Sequence, residues 1–120
     1  MKKMSQEELD QVLRKHELWL QTDGDQGECA NLRRTNLSHI DLSRADLSGA
    51  VLHKVNLSHT NLSHTNLSRA DLFDADLWRA DLSGTNLYRA YLWYTNLAGA
   101  QISADTQLHQ CSSFEYLTCS

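Results

Sequence analysis

The side chains best suited to chemistry in this 120-residue chain are its histidines, serines and cysteines, several of which recur at intervals of twenty. His39 and His59 are one such pair, with His53 and His64 nearby in the sequence. Stacked imidazoles can hold a metal, but a structural site usually takes about four ligands, often with Cys among them. No metal site and no cofactor are therefore expected, and the histidines read as solvated corner residues. Ser43, Ser63, Ser83 and Ser103 form a second series. A nucleophilic serine needs an adjacent base that a third group orients, and no His and Asp keep that spacing beside them. The expectation is a protein that is not an enzyme. Cys29, Cys111 and Cys119 are an odd number, and cytosolic thiols are normally reduced. Cys29 enters the repetitive body and Cys111 follows it, whereas a disulfide needs Cα atoms within about 7 Å. A Cys111–Cys119 bridge closing a small loop in the tail is the one pairing this spacing leaves open.

The intervals come from the body that positions these residues. From Ala30 to Ala104 a five-residue phrase, A/T-D/N-L-x-x, repeats without a slip, with Leu at its centre from Leu32 to Leu97 and Ile102 at the last copy. Two residues before each centre stands Ala, Thr, Ile40 or Val55. A period of five suits neither a helix nor a flat strand, because both would carry successive leucines to different sides. The chain must bend once per repeat. With each repeat as one side of a square, the Leu and the residue two before it point inward and the other three positions face water. Gly49, Gly84 and Gly99 all fall two places after a Leu, where a positive φ is easiest for glycine.

Three segments follow: 1–28, 29–104 and 105–120. The first reads as an amphipathic helix from about Gln6 to Gln21, with Leu9, Val12, Leu13, His16, Trp19 and Leu20 on one face. Ser5 and Glu8 make a capping box, and Gly24 is a stop. An uncovered solenoid end exposes strand edges and core, so the helix is expected to cap the body. His16 is expected to pack at that boundary. The last segment, with Phe114, Tyr116 and Leu117, is expected to cap the other end.

The repeated phrase resembles the pentapeptide repeat family, whose fold is a right-handed quadrilateral β-helix with four repeats per coil. The order of helix then repeats, with W-L-x-x-x-G ahead of C-A-N-L, is similar to members whose N-terminal end carries a helix. The resemblance implies an all-β solenoid: a right-handed quadrilateral parallel β-helix of about four coils with an N-terminal α-helical cap, roughly 18 Å long at ~4.8 Å per coil. It also implies a cyanobacterial-like relationship and a family mostly without assigned activity. Some members act as DNA mimics that bind type II topoisomerases. This chain is short, only mildly acidic at a net charge of −4, and has no loop insertion in its repeats.

Folded into four sides, the sequence forms columns of residues twenty apart. The side holding Leu32, Leu52, Leu72 and Leu92 becomes aromatic toward its C-terminal end: Phe73 under Trp93, Tyr91 beside them and Tyr94 at the corner. Trp78 and Tyr88 lie on flanking sides. An exposed aromatic cluster marks an interface unless the chain's own tail covers it. The expected function is a non-enzymatic protein-interaction or scaffold module with an unidentified protein partner. The alternatives are a DNA-mimic regulator of a type II topoisomerase and a purely structural or stress-related cytosolic protein. Interleaved charges argue against nucleic acid, and no apolar stretch is long enough for a membrane. The place expected is the cytoplasm, as a monomer or an end-to-end homodimer.

Overall fold

The computed structural model of the chain describes residues 1–109 and 112–113. Helix α1 spans Gln6–Gln21. It starts where the capping box predicts: the Glu8 N–H donates to Ser5 Oγ at 3.2 Å, and the Ser5 N–H to Glu8 Oε1 at 3.1 Å. It ends at Thr22, whose hydroxyl donates to the Leu18 carbonyl, and Gly24 turns the chain back at φ +87°. Leu9 is fully buried, and Met4, Val12 and Leu13 pack on the same core. Strand β1 (Lys2–Lys3) pairs in parallel with β2 (Thr35–Asn36) on one side of the first coil.

The body is a four-sided ladder of parallel bridges. Side one runs Asn31–Val51–Asp71–Tyr91, and side two Asn36–Asn56–Asp76–Asn96. Side three runs Asp41–Asn61–Asp81–Gln101, and side four Asp46–Asn66–Asn86–Gln107. Pairing is confined to one or two residues per side, because the chain bends before a longer strand can form. Each side contributes the same two bonds. On side one the Leu52 N–H donates to the Asp71 carbonyl at 2.8 Å, and the Asp71 N–H to the Ala50 carbonyl at 2.9 Å.

Each position of the phrase has a visible cause. The centres Leu32 to Leu92 are at most 2% exposed and stack between coils, which is the main source of stability. The small residue two places earlier also points in. Where it is Thr beyond the first coil, its buried hydroxyl donates to the Leu carbonyl of the coil below, as from Thr60 to Leu37, Thr65 to Leu42, Thr85 to Leu62 and Thr95 to Leu72. Ala and Thr thus interchange because a buried hydroxyl finds an acceptor there. The Asp or Asn before the Leu accepts a bond from the backbone N–H two residues on, as from Ser43 to Asp41 at 2.9 Å and Trp78 to Asp76 at 3.0 Å. This Asx turn starts every corner that an Asp or Asn precedes.

The corner lies where Gly49, Gly84 and Gly99 suggested, two places after the Leu, and its positive φ is not confined to glycine. Every residue two places after a Leu, from Arg34 to Gly99, has φ between +56° and +71°, and most are Arg, His, Lys, Asp or Tyr. Left-handed backbone costs a non-glycine residue roughly 1–2 kcal/mol. The ladder bonds on both sides of each corner hold it there, so glycine is optional.

The ladder runs on past Ala104 with a one-residue shift. Asn86 pairs with Gln107, and β3 (Tyr91–Leu92) pairs in parallel with β4 (Ser112–Ser113), a spacing of twenty-one. Ala104 is the first corner position outside the left-handed region, and Asp105 is the extra residue. The Ser103 hydroxyl donates to the Asp105 carboxylate and accepts from the Gly84 N–H at 2.9 Å. Thr106 then restores the pattern by donating to the Leu82 carbonyl at 2.6 Å.

Candidate interaction face

Side one places its outward residues in three columns. Arg33, His53, Phe73 and Trp93 form the first, Arg34, Lys54, Asp74 and Tyr94 the corner, and Asn31, Val51, Asp71 and Tyr91 the third. The rings at its C-terminal end form one connected group. Tyr94 meets Phe73 edge-on at 5.8 Å and lies tilted to Trp93 at 5.8 Å, and Tyr91 lies near-parallel to Trp93 at 6.2 Å and tilted to Phe73 at 6.3 Å. These separations lie in the range where aromatic pairs attract. Tyr94 stays 66% exposed and Tyr91 39%, while Phe73 and Trp93 are partly buried beneath them.

Of the six expected face residues, the fold gathers four: Phe73, Tyr91, Trp93 and Tyr94. Trp78 stands on side two, where His59 meets it edge-on at 4.9 Å and the Arg79 guanidinium lies 5.0 Å above its ring. Tyr88 stands on side four beside Arg69 and Arg89, each 5.6 Å away, with His109 stacked at 6.1 Å. The phrase places each ring correctly on its side, but a square cross-section separates sides that a flat reading groups together. The expected cover by residues 114–117 and the Cys111–Cys119 bridge lie outside the described residues.

The cationic end of side one is less visible in the sequence. Arg33 and Arg34 are exposed and Lys54 is half-buried. Ion pairs among the described residues join Lys2 to Glu8, Lys15 to Glu28 and His53 to Asp71, so Arg33, Arg34 and Lys54 have no carboxylate partner there. His53 thereby occupies the carboxylate of Asp71, leaving Asp74 as the free acid on this side. The twenty-residue spacing of Arg34 and Lys54 is the signal that places them together.

The other groups weighed for chemistry have structural tasks. His39 and His59 stack at 4.7 Å with planes 8° apart, and among the described residues no three His, Cys, Asp or Glu side chains are placed to hold a metal ion. The Ser63 hydroxyl is spent on Asn61 Oδ1, to which it donates at 2.7 Å. Hydrogen bonds from the Ser43 hydroxyl and N–H hold the Asp41 carboxyl below the usual carboxylate range, and Ser83 does the same to Asp81. Cys29 lines a groove of about 290 Å³ between α1 and the first coil, beside Met4, Val12 and Asn31. Burial raises its thiol pKa, which disfavours the reactive thiolate.

His16 is fully buried and its two ring nitrogens are both engaged. Nδ1 accepts the Ala30 N–H at 2.9 Å, so Nε2 carries the hydrogen and donates to the Ser48 carbonyl at 2.8 Å. Within the body such groups are met by a preceding repeat: the Ala50 N–H by the Leu47 carbonyl, the Ser68 carbonyl by the Gly49 N–H. One imidazole stands in for the repeat that is missing before residue 30. Sequence spacing put His16 on the right helix face and could not reveal this substitution.

The family profile described as pentapeptide repeats (8 copies) matches residues 30–69 and 65–102. This chain belongs to the pentapeptide repeat family. The family's right-handed quadrilateral β-helix is the architecture of the four-sided ladder described above. Among solved structures, HetL is a pentapeptide repeat protein involved in heterocyst differentiation regulation from the cyanobacterium Nostoc sp. strain PCC 7120. It is 32% identical over 78% of this chain and 44% of HetL, with a TM-score of 0.40. The chain thus spans less than half of HetL's length. The pentapeptide repeat protein alr5209 from Nostoc PCC 7120 is 33% identical over 75% of each chain, with a TM-score of 0.44. A pentapeptide repeat protein from the Arabidopsis thaliana thylakoid lumen is 22% identical over 68% of this chain and 63% of its own, with a TM-score of 0.36. No curated protein matches the chain.

Proposed function

We propose that this pentapeptide repeat protein is a non-enzymatic protein-interaction module, with α1 as the cap of its N-terminal end and the aromatic end of side one as its working surface. The observation that carries this is the connected group of Phe73, Tyr91, Trp93 and Tyr94, in which Tyr94 keeps 66% of its surface exposed. Exposed, contiguous rings contribute little to stability where they stand and much to an interface that buries them. A cytoplasmic location is part of the proposal; no helix among the described residues is long and apolar enough to cross a membrane.

The test compares capture of partners by the wild type with capture by Phe73→Ser and Trp93→Ser, both checked for retained fold by circular dichroism. Loss of a partner in both variants supports the face, and unchanged capture by both removes it. The DNA-mimic alternative gains no support from side one, where Arg33, Arg34 and Lys54 oppose a phosphate-like field. A supercoiling assay with no inhibition at high protein excess discards it.

A further inference from the structure

Side one changes character along the rod axis. Its first two coils carry Arg33, Arg34 and Lys54, which have no carboxylate partner among the described residues, and its last two carry the four rings. Against the chain's net charge of −4, Arg33, Arg34 and Lys54 are a local excess of positive charge, opposed from the third coil by Asp71, which His53 holds, and by Asp74 at the corner. Nothing in the fold requires the segregation, because all these positions point outward and the ladder accepts any of them.

The geometry points to a partner of defined chemistry: an extended peptide segment with an acidic block at one end and apolar or aromatic side chains at the other, lying along the rod axis. Its acidic end sits over Arg33, Arg34 and Lys54, and its apolar end against Phe73, Tyr91, Trp93 and Tyr94. This rests on the interaction face proposed above and adds to it the class and direction of the partner. Three coil steps separate Arg33 from Trp93, roughly 14 Å at ~4.8 Å each, a length about five extended residues cover. Carboxylates gain most from cations that have no other partner, and an Arg can hold one bidentately.

Single-stranded nucleic acid is the other ligand class that uses cations and rings. It presents phosphates and bases in alternation, so it fits a groove where cations and aromatic platforms interleave. On side one they occupy separate coils, which matches a peptide with two blocks.

The experiment uses the whole chain and measures fluorescence anisotropy of labelled synthetic probes. These are a peptide of three glutamates followed by Leu and Phe, its mirror with three lysines, and a thymidine oligonucleotide. The glutamate peptide is expected to bind at least about tenfold more tightly than the lysine peptide and to weaken with added salt. Arg33→Glu combined with Lys54→Glu, both on the surface, is expected to cost about tenfold in that binding while the thermal midpoint holds. Equal affinity for the two peptides, preference for the oligonucleotide, or no binding of the glutamate peptide overturns the proposal. Charge reversal without effect, beside a Trp93→Ser that abolishes binding, sinks the acidic partner and spares the interaction face. Loss on charge reversal with Trp93→Ser inert sinks the face as described.

Discussion

At the N-terminal end of the rod the first coil meets a helix, a short strand and a buried imidazole. At the C-terminal end the last full coil carries Ile102 with 61% of its surface exposed, and Leu97 is only partly buried. The same kind of residue at the same position of the phrase is thus fully buried at Leu62 and open at Ile102. A repeat supplies its own side chains, but the coil above supplies the burial. The contrast separates what a repeat can do alone from what stacking adds.

The sharpest way to break the comparison is a charge on the stack. Leu62→Asp buries a carboxylate between coils and is expected to abolish cooperative unfolding in urea, while Ile102→Asp leaves the transition within about 1 kcal/mol of wild type. Equal losses at both sites show the middle of the stack and its C-terminal end to be energetically alike. A smaller loss tests the imidazole. His16→Leu leaves the Ala30 N–H and the Ser48 carbonyl without partners, an expected cost of about 2–5 kcal/mol from two unmet buried groups. Amide exchange at Ala30 is expected to accelerate more than at Ala80; equal acceleration argues against a local role.

Gly27 and Gly49 sharpen the contrast further. A Cβ at Gly27 meets the Lys15 carbonyl at 2.2 Å and the Trp19 nitrogen at 2.8 Å, so Gly27→Ala must push the linker off α1. Gly49 has open space around it, and Gly49→Ala carries only the left-handed backbone cost of about 1 kcal/mol. Thermal melts are expected to rank Gly27→Ala well below Gly49→Ala.

The smallest effect is acid sensitivity. The Asp41 and Asp81 carboxyls are lowered in the folded chain, so their stabilisation is full above the ordinary carboxylate value and fades as pH falls below about 4. Asp41 is exposed and Asp81 only half-buried, which keeps the effect small. Asp41→Asn with Asp81→Asn preserves the Asx turns, as Asn61 and Asn66 do, and is expected to flatten the dependence of the melting point between pH 5 and 3.

The body was legible to an unusual degree because one period controls every position in it. Leu32 to Leu92, the Thr or Ala before them and the Asp or Asn turns each answer to contacts within a coil or one coil away. Helix α1 was legible for a different reason: Ser5 and Glu8 satisfy its first amides locally. The three glycines Gly49, Gly84 and Gly99 pointed to the corner, but not to the left-handed backbone that Arg34, His59 and Tyr94 adopt at the same position. Local preference was overridden there by ladder bonds formed with residues about twenty positions away. The extra residue at Asp105 leaves no mark in the sequence, because the register slip exists only in the pairing of Gln107 with Asn86.

Sequence alone determined one bend and one inward pair per repeat, because a five-residue period leaves no other arrangement, and the resemblance to the pentapeptide repeat family implied the four sides and hence the columns. Tertiary structure decided how the columns combine. It brought the rings of Phe73, Tyr91, Trp93 and Tyr94 into contact, set His59 and Arg79 against Trp78, and fixed which nitrogen of His16 carries the proton. Those outcomes depend on distances between residues far apart in the chain, which periodicity does not encode.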